Sequence, residues 1–407
     1  MDPLSYLFAL EQFGIKFGLD NISAIVDRLG HPERTFKSVH VAGTNGKGSV
    51  TAMVDAALRA AGHRSARYTS PHLVDLSERF VIDGRPAALD ALASAAGDVR
   101  DAIESLRADG TIDVQPTFFE ATTAVAFELF RRATVEVAVL EVGLGGRLDA
   151  TNVVSPIATA ITSIGFDHQL YLGRTLREIA KEKAGIVKPS VPLVVGPLDR
   201  EAAAAIEEIA AARGAPIIRA TPSDVDGLAV GLAGDHQRAN AAVALKLLHV
   251  VSARGIAVPP QAIADGLARP EWPGRLDLRR LADGRELLLD AAHNPAGAAA
   301  LASYLQSAST ARPPLVFAAM RDKAVAEMFD VLLPAVSSLV VTKASNPRSA
   351  EPGTLATLAR AAAPELPVAI EPIVAEALDA AWQRAPRIVV AGSIFLLGDV
   401  LKLVGGS

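Results

Sequence analysis

Residues 40–50, HVAGTNGKGSV, constrain the fold of this chain more than any other stretch. They follow a short apolar segment, residues 36–41, that predicts a buried strand. They precede an alanine-rich segment, residues 50–61, that predicts a helix. A strand, a tight glycine-rich turn and a helix form the layout of a phosphate-binding loop, because glycines let backbone N–H groups approach anionic oxygens. We therefore predict an α/β chain that presents a phosphate site.

The spacing within this loop departs from the common G-x-x-x-x-G-K-[ST] pattern. Only Thr44 and Asn45 separate the first two glycines, and Gly48 stands between Lys47 and Ser49. The departure argues against an ordinary kinase or GTPase, whereas the charge of Lys47 and the helix dipole still favour ATP. The predicted nucleotide-binding residues of the loop are Thr44, Asn45, Gly46, Lys47, Gly48 and Ser49.

Composition excludes several classes of protein. The chain has 407 residues and no cysteine, which excludes disulfides, thiolate metal sites and a cysteine nucleophile. Its formal net charge of −5, without a basic patch, argues against nucleic-acid binding. The N-terminal sequence has no signal-peptide pattern, and no apolar run is long enough to span a membrane. We expect a cytoplasmic location.

The repeated alternation of strands and helices predicts a doubly wound, mostly parallel sheet. Residues 269–275, RPEWPGR, combine two prolines and a glycine with bulky and charged residues, as in a stiff linker. We predict three parts: an ATP-binding domain over 1–270, a linker over 271–279 and a smaller, Rossmann-like α/β domain over 280–407.

Polar residues follow several predicted strands, where ligands bind in parallel sheets. Ser70 follows one strand, Glu141 ends a strongly apolar one, and His168 follows a third. A carboxylate that closes an apolar strand is costly unless it is paired or binds a metal, and Mg²⁺ prefers oxygen ligands. Taken alone, His168 is better explained as a hydrogen-bonded structural histidine.

Other residues have an ordinary structural explanation beside a functional one. Thr117 and Glu120 match a helix capping box, and the carboxylate of Glu120 is an equally good ligand. Lys183 is placed like a lysine at a helix C-terminus before a glycine cap. Asn240 and Asp290 have no special context. Arg275, on the stiff segment, is suited to reach a phosphate or carboxylate.

Eight motifs occur in one order between about residue 40 and residue 295, with a weaker one, SNPR, at 345–348. They are TNGKGS, TSPHL…ERF, EVGLGGRLDATN, SIGFDH, EKAGI, GDHQRAN, WPGRL and LDAAHNP. In this combination the chain closely resembles the folylpolyglutamate synthase and bifunctional dihydrofolate synthase family, relatives of the Mur-type ligases.

The resemblance implies an ATP-dependent amide ligase that uses Mg²⁺, with a monovalent cation such as K⁺ as a further expectation. A pterin-linked carboxylate would become an acyl phosphate, and the amino group of L-glutamate would then attack it. The implied partners are therefore small molecules: dihydropteroate or a reduced folate, and L-glutamate. A monomer is expected, without nucleic-acid or membrane partners.

The resemblance also implies roles for individual residues. Gly46–Ser49 would hold the triphosphate, and Lys183 would be carbamylated. His293 would lie near the phosphate and the incoming glutamate. The other implied roles are metal binding by Ser70, Glu141 and His168, nucleotide binding by Asn240, Arg275 and Asp290, and pterin-substrate binding by Thr117, Phe119 and Asp149.

Two alternatives remain beside this interpretation. One is a Mur-type ligase acting on a UDP-sugar peptide, which Gly48 and the lack of a UDP-binding N-terminal domain disfavour. The other is a non-catalytic ATP-binding module, which Lys47, Glu141 and His168 disfavour. The segment FGLDNI resembles the lip of enzymes that accept dihydropteroate, so we favour a bifunctional enzyme. Residues 169–171, QLY, depart from the family pattern beside the predicted metal ligand.

Overall fold

The computed structural model describes residues 2–14, 16–308 and 311–405. The chain divides into two compact units. The second unit takes most of its residues from Trp272–Ser407 and adds two short stretches, Gly165–His168 and Leu232–Arg238. The first unit consists of Met1–Ile164, Gln169–Gly231 and Ala239–Glu271.

The sheet of the first unit has eight strands in the described residues, in the order β4-β3-β2-β5-β1-β6-β7-β8. Strands β2, β5, β1, β6, β7 and β8 run parallel, whereas β3 and β4 add an antiparallel edge. The strands are β1 (Lys37–Ala42), β2 (Ser65–Tyr68), β3 (Phe80–Ile82), β4 (Arg85–Pro86), β5 (Val137–Glu141), β6 (Ala158–Ile161), β7 (Leu193–Val195) and β8 (Ile217–Arg219).

Helices cover both faces of this sheet, since every residue of the central strand β5 is buried. One apolar core joins Leu140 of that strand to Leu92 and Phe127, and another contains Ile161 and Ile206. The helices are α1 (Pro3–Ala9), α2 (Asp20–Arg28), α3 (Lys47–Ala60), α4 (Leu89–Ala108), α5 (Phe118–Arg132), α6 (Gln169–Leu172), α7 (Leu176–Ala184), α8 (Arg200–Ala212), α9 (Asp235–Ala253) and α10 (Pro260–Ala268).

The second unit has its own sheet, in the order β13-β12-β11-β14-β10-β9, and its own apolar core, in which the rings of Phe317 and Phe329 lie 4.9 Å apart. All of its strands are parallel except β9, which pairs antiparallel with β10. The strands are β9 (Asp277–Arg280), β10 (Glu286–Leu289), β11 (Pro314–Phe317), β12 (Ser338–Val341), β13 (Val368–Ile370) and β14 (Arg387–Ala391). The helices are α11 (Pro295–Ala308), α12 (Val325–Leu332), α13 (Pro352–Ala362), α14 (Val374–Trp382) and α15 (Ile394–Val404).

The predicted doubly wound α/β architecture, with a second and smaller α/β unit, is confirmed. The differences are local. Helix α3 begins at Lys47, three residues before the predicted start, because the end of the glycine loop is already helical. Strand β9 occupies the end of the segment predicted as a linker. Within the described residues, no helix is both long and apolar enough to cross a membrane.

Candidate active site

The glycine loop after β1 requires glycine at two positions. Gly43 has a φ of +152° and Gly46 a φ of +84°, a backbone region that disfavours other residues. A Cβ at Gly43 would lie 1.9 Å from Oγ1 of Thr162, and one at Gly46 would lie 2.1 Å from Oδ1 of Asn240. The structure therefore brings the predicted nucleotide-binding residue Asn240 against the loop, through a contact that only glycine permits.

Residues that follow β6 support the backbone of this loop. The N–H of Thr44 donates to the carbonyl of Ser163 at 2.8 Å, and the N–H of Asn45 donates to Oγ of Ser163 at 3.0 Å. The hydroxyl of Thr162 donates to the carbonyl of Asn45 at 2.6 Å. Neither Thr162 nor Ser163 was among the predicted site residues, although both belong to the segment that contains the SIGFDH motif.

Two lysines converge on one carbonyl of the loop. Nζ of Lys47 donates to the carbonyl of Gly43 at 3.1 Å and to that of Thr44 at 3.4 Å. Nζ of Lys183, from the end of α7, donates to the same Gly43 carbonyl at 3.0 Å. Lys183 is only 5% exposed, so this lysine is not a solvated residue at a helix end. The two predicted catalytic lysines thus meet at the start of the phosphate loop.

The first turn of α3 contains a buried hydroxyl that suits an oxygen-seeking ligand. Ser49 is 1% exposed, and its Oγ has no hydrogen-bond partner among the described residues. A buried polar atom without a partner is costly, so a phosphate oxygen or a hard cation would satisfy it. Ser49 therefore fits the role predicted for the last residue of the loop.

Two of the three predicted magnesium ligands lie together in the first unit. Glu141, at the end of β5, is 5% exposed, and its Oε2 accepts the N–H of Ser70 at 3.3 Å. Hydroxyl and carboxylate oxygens fit magnesium. His168 belongs to the second unit, where it adopts a φ of +50°. No cluster of three or more His, Asp or Glu residues that could hold a metal is found in the described chain.

The loop between β5 and β6 is held by the predicted substrate residue Asp149. Its carboxylate accepts the N–H of Leu144 at 2.9 Å and the N–H of Thr151 at 3.0 Å, and it also accepts the Thr151 hydroxyl. Burial raises the pKa of Asp149, and these hydrogen bonds counteract that effect. The carboxylate of Asp149 is therefore used to shape the loop that begins at Gly143.

This hydrogen-bond chain continues to the strand of the phosphate loop. Nε2 of His40, in β1, lies 2.8 Å from Oγ1 of Thr151. Because that hydroxyl donates to Asp149, His40 donates through Nε2, and its Nδ1 has no partner among the described residues. Burial lowers the pKa of His40 to about 3, so the ring is neutral. The two glycine-rich loops of the first unit are thus linked through buried side chains.

The end of α7 packs closely against the loop between β5 and β6, and two glycines permit this packing. A Cβ at Gly146 would lie 2.7 Å from the carbonyl of Lys183, and a Cβ at Gly185 would lie 2.4 Å from Cα of Arg147. The N–H of Arg147 donates to the carbonyl of Glu182 at 2.8 Å. Gly185 is the C-cap of α7, as expected from the sequence, and its φ of −60° is one that other residues adopt as well. Close packing of two backbones explains why the capping residue is a glycine.

Aromatic side chains gather at the predicted pterin-substrate residues. Thr117 caps α5 in a complete capping box with Glu120, which confirms the structural explanation of both residues. Phe119 lies against Tyr68, with ring centroids 6.0 Å apart, and Phe118 stacks on Phe8 at 6.1 Å. The guanidinium of Arg79 lies 5.1 Å from the centre of the Phe118 ring. Phe8 is half exposed, so this group of rings has an open side.

In the second unit, the predicted nucleotide-binding residues Arg275 and Asp290 lie near each other. The carboxylate of Asp290 accepts the N–H groups of Leu276 and Ala292, each at 2.9 Å. Burial raises the pKa of Asp290, and the charge of Arg275 lowers it in part. Burial also lowers the pKa of His236, which faces the same carboxylate.

A second carboxylate of this unit, that of the partly buried Asp167, joins the predicted residue His293 to two residues that were not predicted. Nζ of Lys323 donates to Asp167 at 2.6 Å, and Nδ2 of Asn294 donates to it at 3.2 Å. Nε2 of His293 lies 3.6 Å from the same carboxylate, and Nε2 of His168 lies 3.8 Å from it. Asn294 follows His293 in the LDAAHNP motif, whereas Lys323 stands in no motif that could have singled it out.

The surroundings of Asp167 favour its charged form. Burial alone raises the pKa of this carboxyl, but the hydrogen bond with His293 and the charges of His168 and Lys323 outweigh that effect. The net result is a pKa well below the usual range of an aspartate. Asp167 is therefore an anion that holds the side chains of Lys323 and His293 in place.

The described residues place a phosphate loop on one α/β unit and follow it in sequence with a second α/β unit. Residues 274–396 match the family model of the Mur ligase, glutamate ligase domain, so this part of the chain is similar to the Mur-type ligases.

Known proteins define the family more closely. The chain is 35% identical over 347 residues to the dihydrofolate synthase/folylpolyglutamate synthase of Bacillus subtilis, covering 79% of this chain and 80% of that protein. It is also 35% identical over 427 residues to the probable bifunctional folylpolyglutamate synthase/dihydropteroate synthase of Haloferax volcanii. That match covers 98% of this chain and spans 50% of the longer archaeal protein. The chain belongs to the folylpolyglutamate synthase/dihydrofolate synthase family.

Solved structures support the same assignment. The folylpolyglutamate synthase of Mycobacterium tuberculosis, complexed with ADP and AMPPCP, is similar with a TM-score of 0.90 and 32% identity, covering 99% of both chains. The bifunctional folylpolyglutamate synthase/dihydrofolate synthase of Yersinia pestis, complexed with AMPPNP and a manganese ion, is similar with a TM-score of 0.85 and 30% identity. That match covers 99% of this chain and 97% of the other.

Proposed function

We propose that this protein joins L-glutamate to a pterin-linked carboxylate at the cost of ATP. The acceptor is dihydropteroate, the γ-carboxyl of a reduced folate, or both. The observation that carries the proposal is the meeting of Lys47 and Lys183 at the Gly43 carbonyl, beside the buried hydroxyl of Ser49. A glycine loop that carries the ammonium of Lys47 favours the binding of a triphosphate.

The first chemical step brings anions together. The acceptor carboxylate attacks the γ-phosphorus of ATP, ADP leaves, and an acyl phosphate forms. Loop N–H groups and the ammonium of Lys47 offset the repulsion between the carboxylate and the phosphates. Magnesium, when bound, neutralises phosphate oxygens, and Ser49, Ser70, Glu141 and His168 are the residues that would hold it.

In the second step the amino group of L-glutamate attacks the activated carbonyl, and phosphate leaves as the amide forms. The attacking amine must lose a proton, and His293 is the side chain that we assign near this event. Its Nδ1 lies 2.8 Å from the carbonyl of Ala291, which leaves Nε2 to face the Asp167 carboxylate. Arg275, Asp290 and Asn240 are assigned to the nucleotide.

Lys183 is the second catalytic lysine of the proposal. Its burial disfavours the charged ammonium, and carbamylation would replace that charge with a carboxylate able to bind a metal. The close packing of Gly146 against the Lys183 carbonyl, and of Gly185 against Arg147, would hold the modified side chain in a fixed direction.

The pterin end of the acceptor is assigned to the aromatic group around Phe118 and Phe119. A planar ring system gains from stacking on exposed aromatic faces, and Phe8 supplies one. Thr117 and Asp149 then act by shaping this pocket through the capping box and the loop hydrogen bonds. We further propose a bifunctional, monomeric and cytoplasmic enzyme that uses ATP, Mg²⁺ and a monovalent cation such as K⁺.

The test is an assay of phosphate release with ATP, L-glutamate and either dihydropteroate or a reduced folate. Release that depends on both glutamate and the pterin acceptor supports the proposal. Lys47→Ala should lower turnover by roughly 100-fold or more, because it removes a charge that acts on the transferred phosphoryl group. Release that requires a UDP-sugar peptide instead would favour the Mur-type alternative, and ATP binding without any release would favour the non-catalytic one.

A further inference from the structure

The two residues after β6, Thr162 and Ser163, contact the backbone of the phosphate loop directly. The Asn45 carbonyl accepts two hydroxyls, from Thr162 at 2.6 Å and from Ser163 at 3.0 Å. Oγ of Ser163 also accepts the Asn45 N–H at 3.0 Å. The backbone of one loop residue is thus bound on both sides.

These hydrogen bonds determine where the next N–H group points. The Asn45 carbonyl and the Gly46 N–H belong to one peptide plane, and in a trans peptide they point in opposite directions. A carbonyl held toward Thr162 and Ser163 therefore turns the Gly46 N–H away from them. Because Gly46 immediately precedes α3, that N–H lies with the other free amides at the helix N-terminus.

Close packing reinforces the same arrangement. Thr162 is buried, and its Oγ1 occupies the space in which a Cβ of Gly43 would lie. The Thr44 N–H is also bonded to the Ser163 carbonyl, so three consecutive loop residues contact this pair. The loop has few other ways to orient its backbone.

We propose that Thr162 and Ser163 are positioning residues that preset the phosphate loop for the nucleotide. They touch no reacting atom, and they act by orienting the amides that meet the phosphate oxygens. This inference rests on the proposed function, because it assigns the loop to ATP. It predicts that loss of either hydroxyl weakens nucleotide binding and leaves the affinity for L-glutamate unchanged.

The experiment compares four variants. Thr162→Val removes the hydroxyl at nearly constant volume, Thr162→Ser retains it, and Ser163→Ala removes the second hydroxyl. Thr159→Val is the matched control, because Thr159 is a fully buried residue of β6 whose hydroxyl donates to a backbone carbonyl, that of Pro192, at 3.1 Å. ADP affinity is measured by titration calorimetry, thermal unfolding is measured in parallel, and KM is measured for ATP and for L-glutamate.

We expect Thr162→Val and Ser163→Ala to weaken ADP binding by roughly five- to tenfold, the usual effect of one hydrogen bond. The KM for ATP should rise with the dissociation constant for ADP. Thr162→Ser and Thr159→Val should bind ADP like the unmodified protein, although the control loses thermal stability.

Three results would overturn the inference. The first is unchanged ADP affinity in both Thr162→Val and Ser163→Ala. The second is an equal loss of affinity in Thr159→Val, which would indicate a general structural effect. The third is an unmodified protein that binds no ADP, and this result alone would overturn the proposed function as well.

Discussion

At the scale of single residues, His40 is a fully buried, titratable side chain in the central strand β1. His40 has one ring nitrogen bonded to Thr151 and the other without a partner among the described side chains. This arrangement is stable only while the ring is neutral, because a second proton would bring a buried charge without a partner. The stability of the first unit should therefore depend on pH.

The pKa of His40 is lowered from 6.5 to about 3, so the unfolded chain binds a proton at a higher pH than the folded chain does. Between these values unfolding takes up a proton, and the free energy of unfolding must fall as the pH falls. For the single group the slope approaches about 1.4 kcal/mol per pH unit. We expect His40→Gln, which keeps a side-chain donor but does not titrate, to lose this slope.

Denaturant unfolding of the unmodified protein and of His40→Gln, from neutral pH down to about pH 5, measures how the free energy of unfolding depends on pH in each. The unmodified protein should lose stability faster below about pH 6.5 than His40→Gln does. Parallel stability curves would contradict the assigned neutral, buried state of His40.

Residue positions were predictable where a motif determines the local fold, as for Lys47 and Ser49 in the first turn of α3. They were not predictable where the partner is distant in sequence. Thr162 and Asn45 are 117 positions apart, and Lys323 and Asp167 are 156 apart. A local sequence pattern cannot predict such a contact, because the contact depends on which elements become neighbours in the fold.

At the scale of elements, the end of α7 and the loop after β5 are held together by close packing of their backbones and by a hydrogen bond from the Arg147 N–H to the Glu182 carbonyl. Gly185→Ala places a methyl group 2.4 Å from Cα of Arg147, and backbone atoms cannot give way as a flexible side chain can. The φ of Gly185 is −60°, which alanine adopts without strain, so the cost is purely steric. We expect a loss of roughly 2–3 kcal/mol in the stability of the first unit.

Gly97→Ala is the control for this substitution. Gly97 lies inside α4, and its added Cβ would make an ordinary contact of 3.7 Å with Pro3. Alanine favours a helix by about 0.5–1 kcal/mol over glycine, so this variant should be slightly more stable. Chemical denaturation measures the free energy of unfolding of both variants. Equal effects of Gly185→Ala and Gly97→Ala would refute the proposed close packing at Gly185.

Most elements followed from hydrophobic patterns: the strand predicted over 36–41 is β1 (Lys37–Ala42), and the helix predicted over 50–61 lies within or next to α3 (Lys47–Ala60). The missed strands β3, β4 and β9 are short antiparallel additions at sheet edges. An edge strand such as β4, which has two residues, is too short to show a period of its own. Pairing with a neighbouring strand decides its conformation, and that neighbour is not evident from the sequence.

At the scale of the whole molecule, each unit has an apolar core of its own. Phe127 is fully buried in the first unit, and Phe329 is fully buried in the second. Truncation of a buried phenylalanine to alanine costs about 3–5 kcal/mol. We expect Phe127→Ala to lower the unfolding temperature of one calorimetric transition and Phe329→Ala that of another.

ADP identifies the transitions, because a ligand at 100 times its dissociation constant stabilises the folded state by about 2.7 kcal/mol. The transition of the phosphate-loop unit should shift upward with ADP and be the one that Phe127→Ala affects. A single transition shifted equally by both variants would mean that the two cores unfold as one cooperative unit.

The central position of β1 has a consequence for synthesis on the ribosome. Its neighbours are β5 and β6, which begin 100 and 121 residues after β1, and Lys183 and Asn240 follow later still. The nascent loop therefore cannot reach its final conformation when it leaves the exit tunnel. The loop stays without its final hydrogen-bond and packing partners until more than half of the chain, up to Asn240, has emerged. Slow elongation, or binding by a chaperone, would protect the phosphate loop from misfolding until Asn240 has been synthesised.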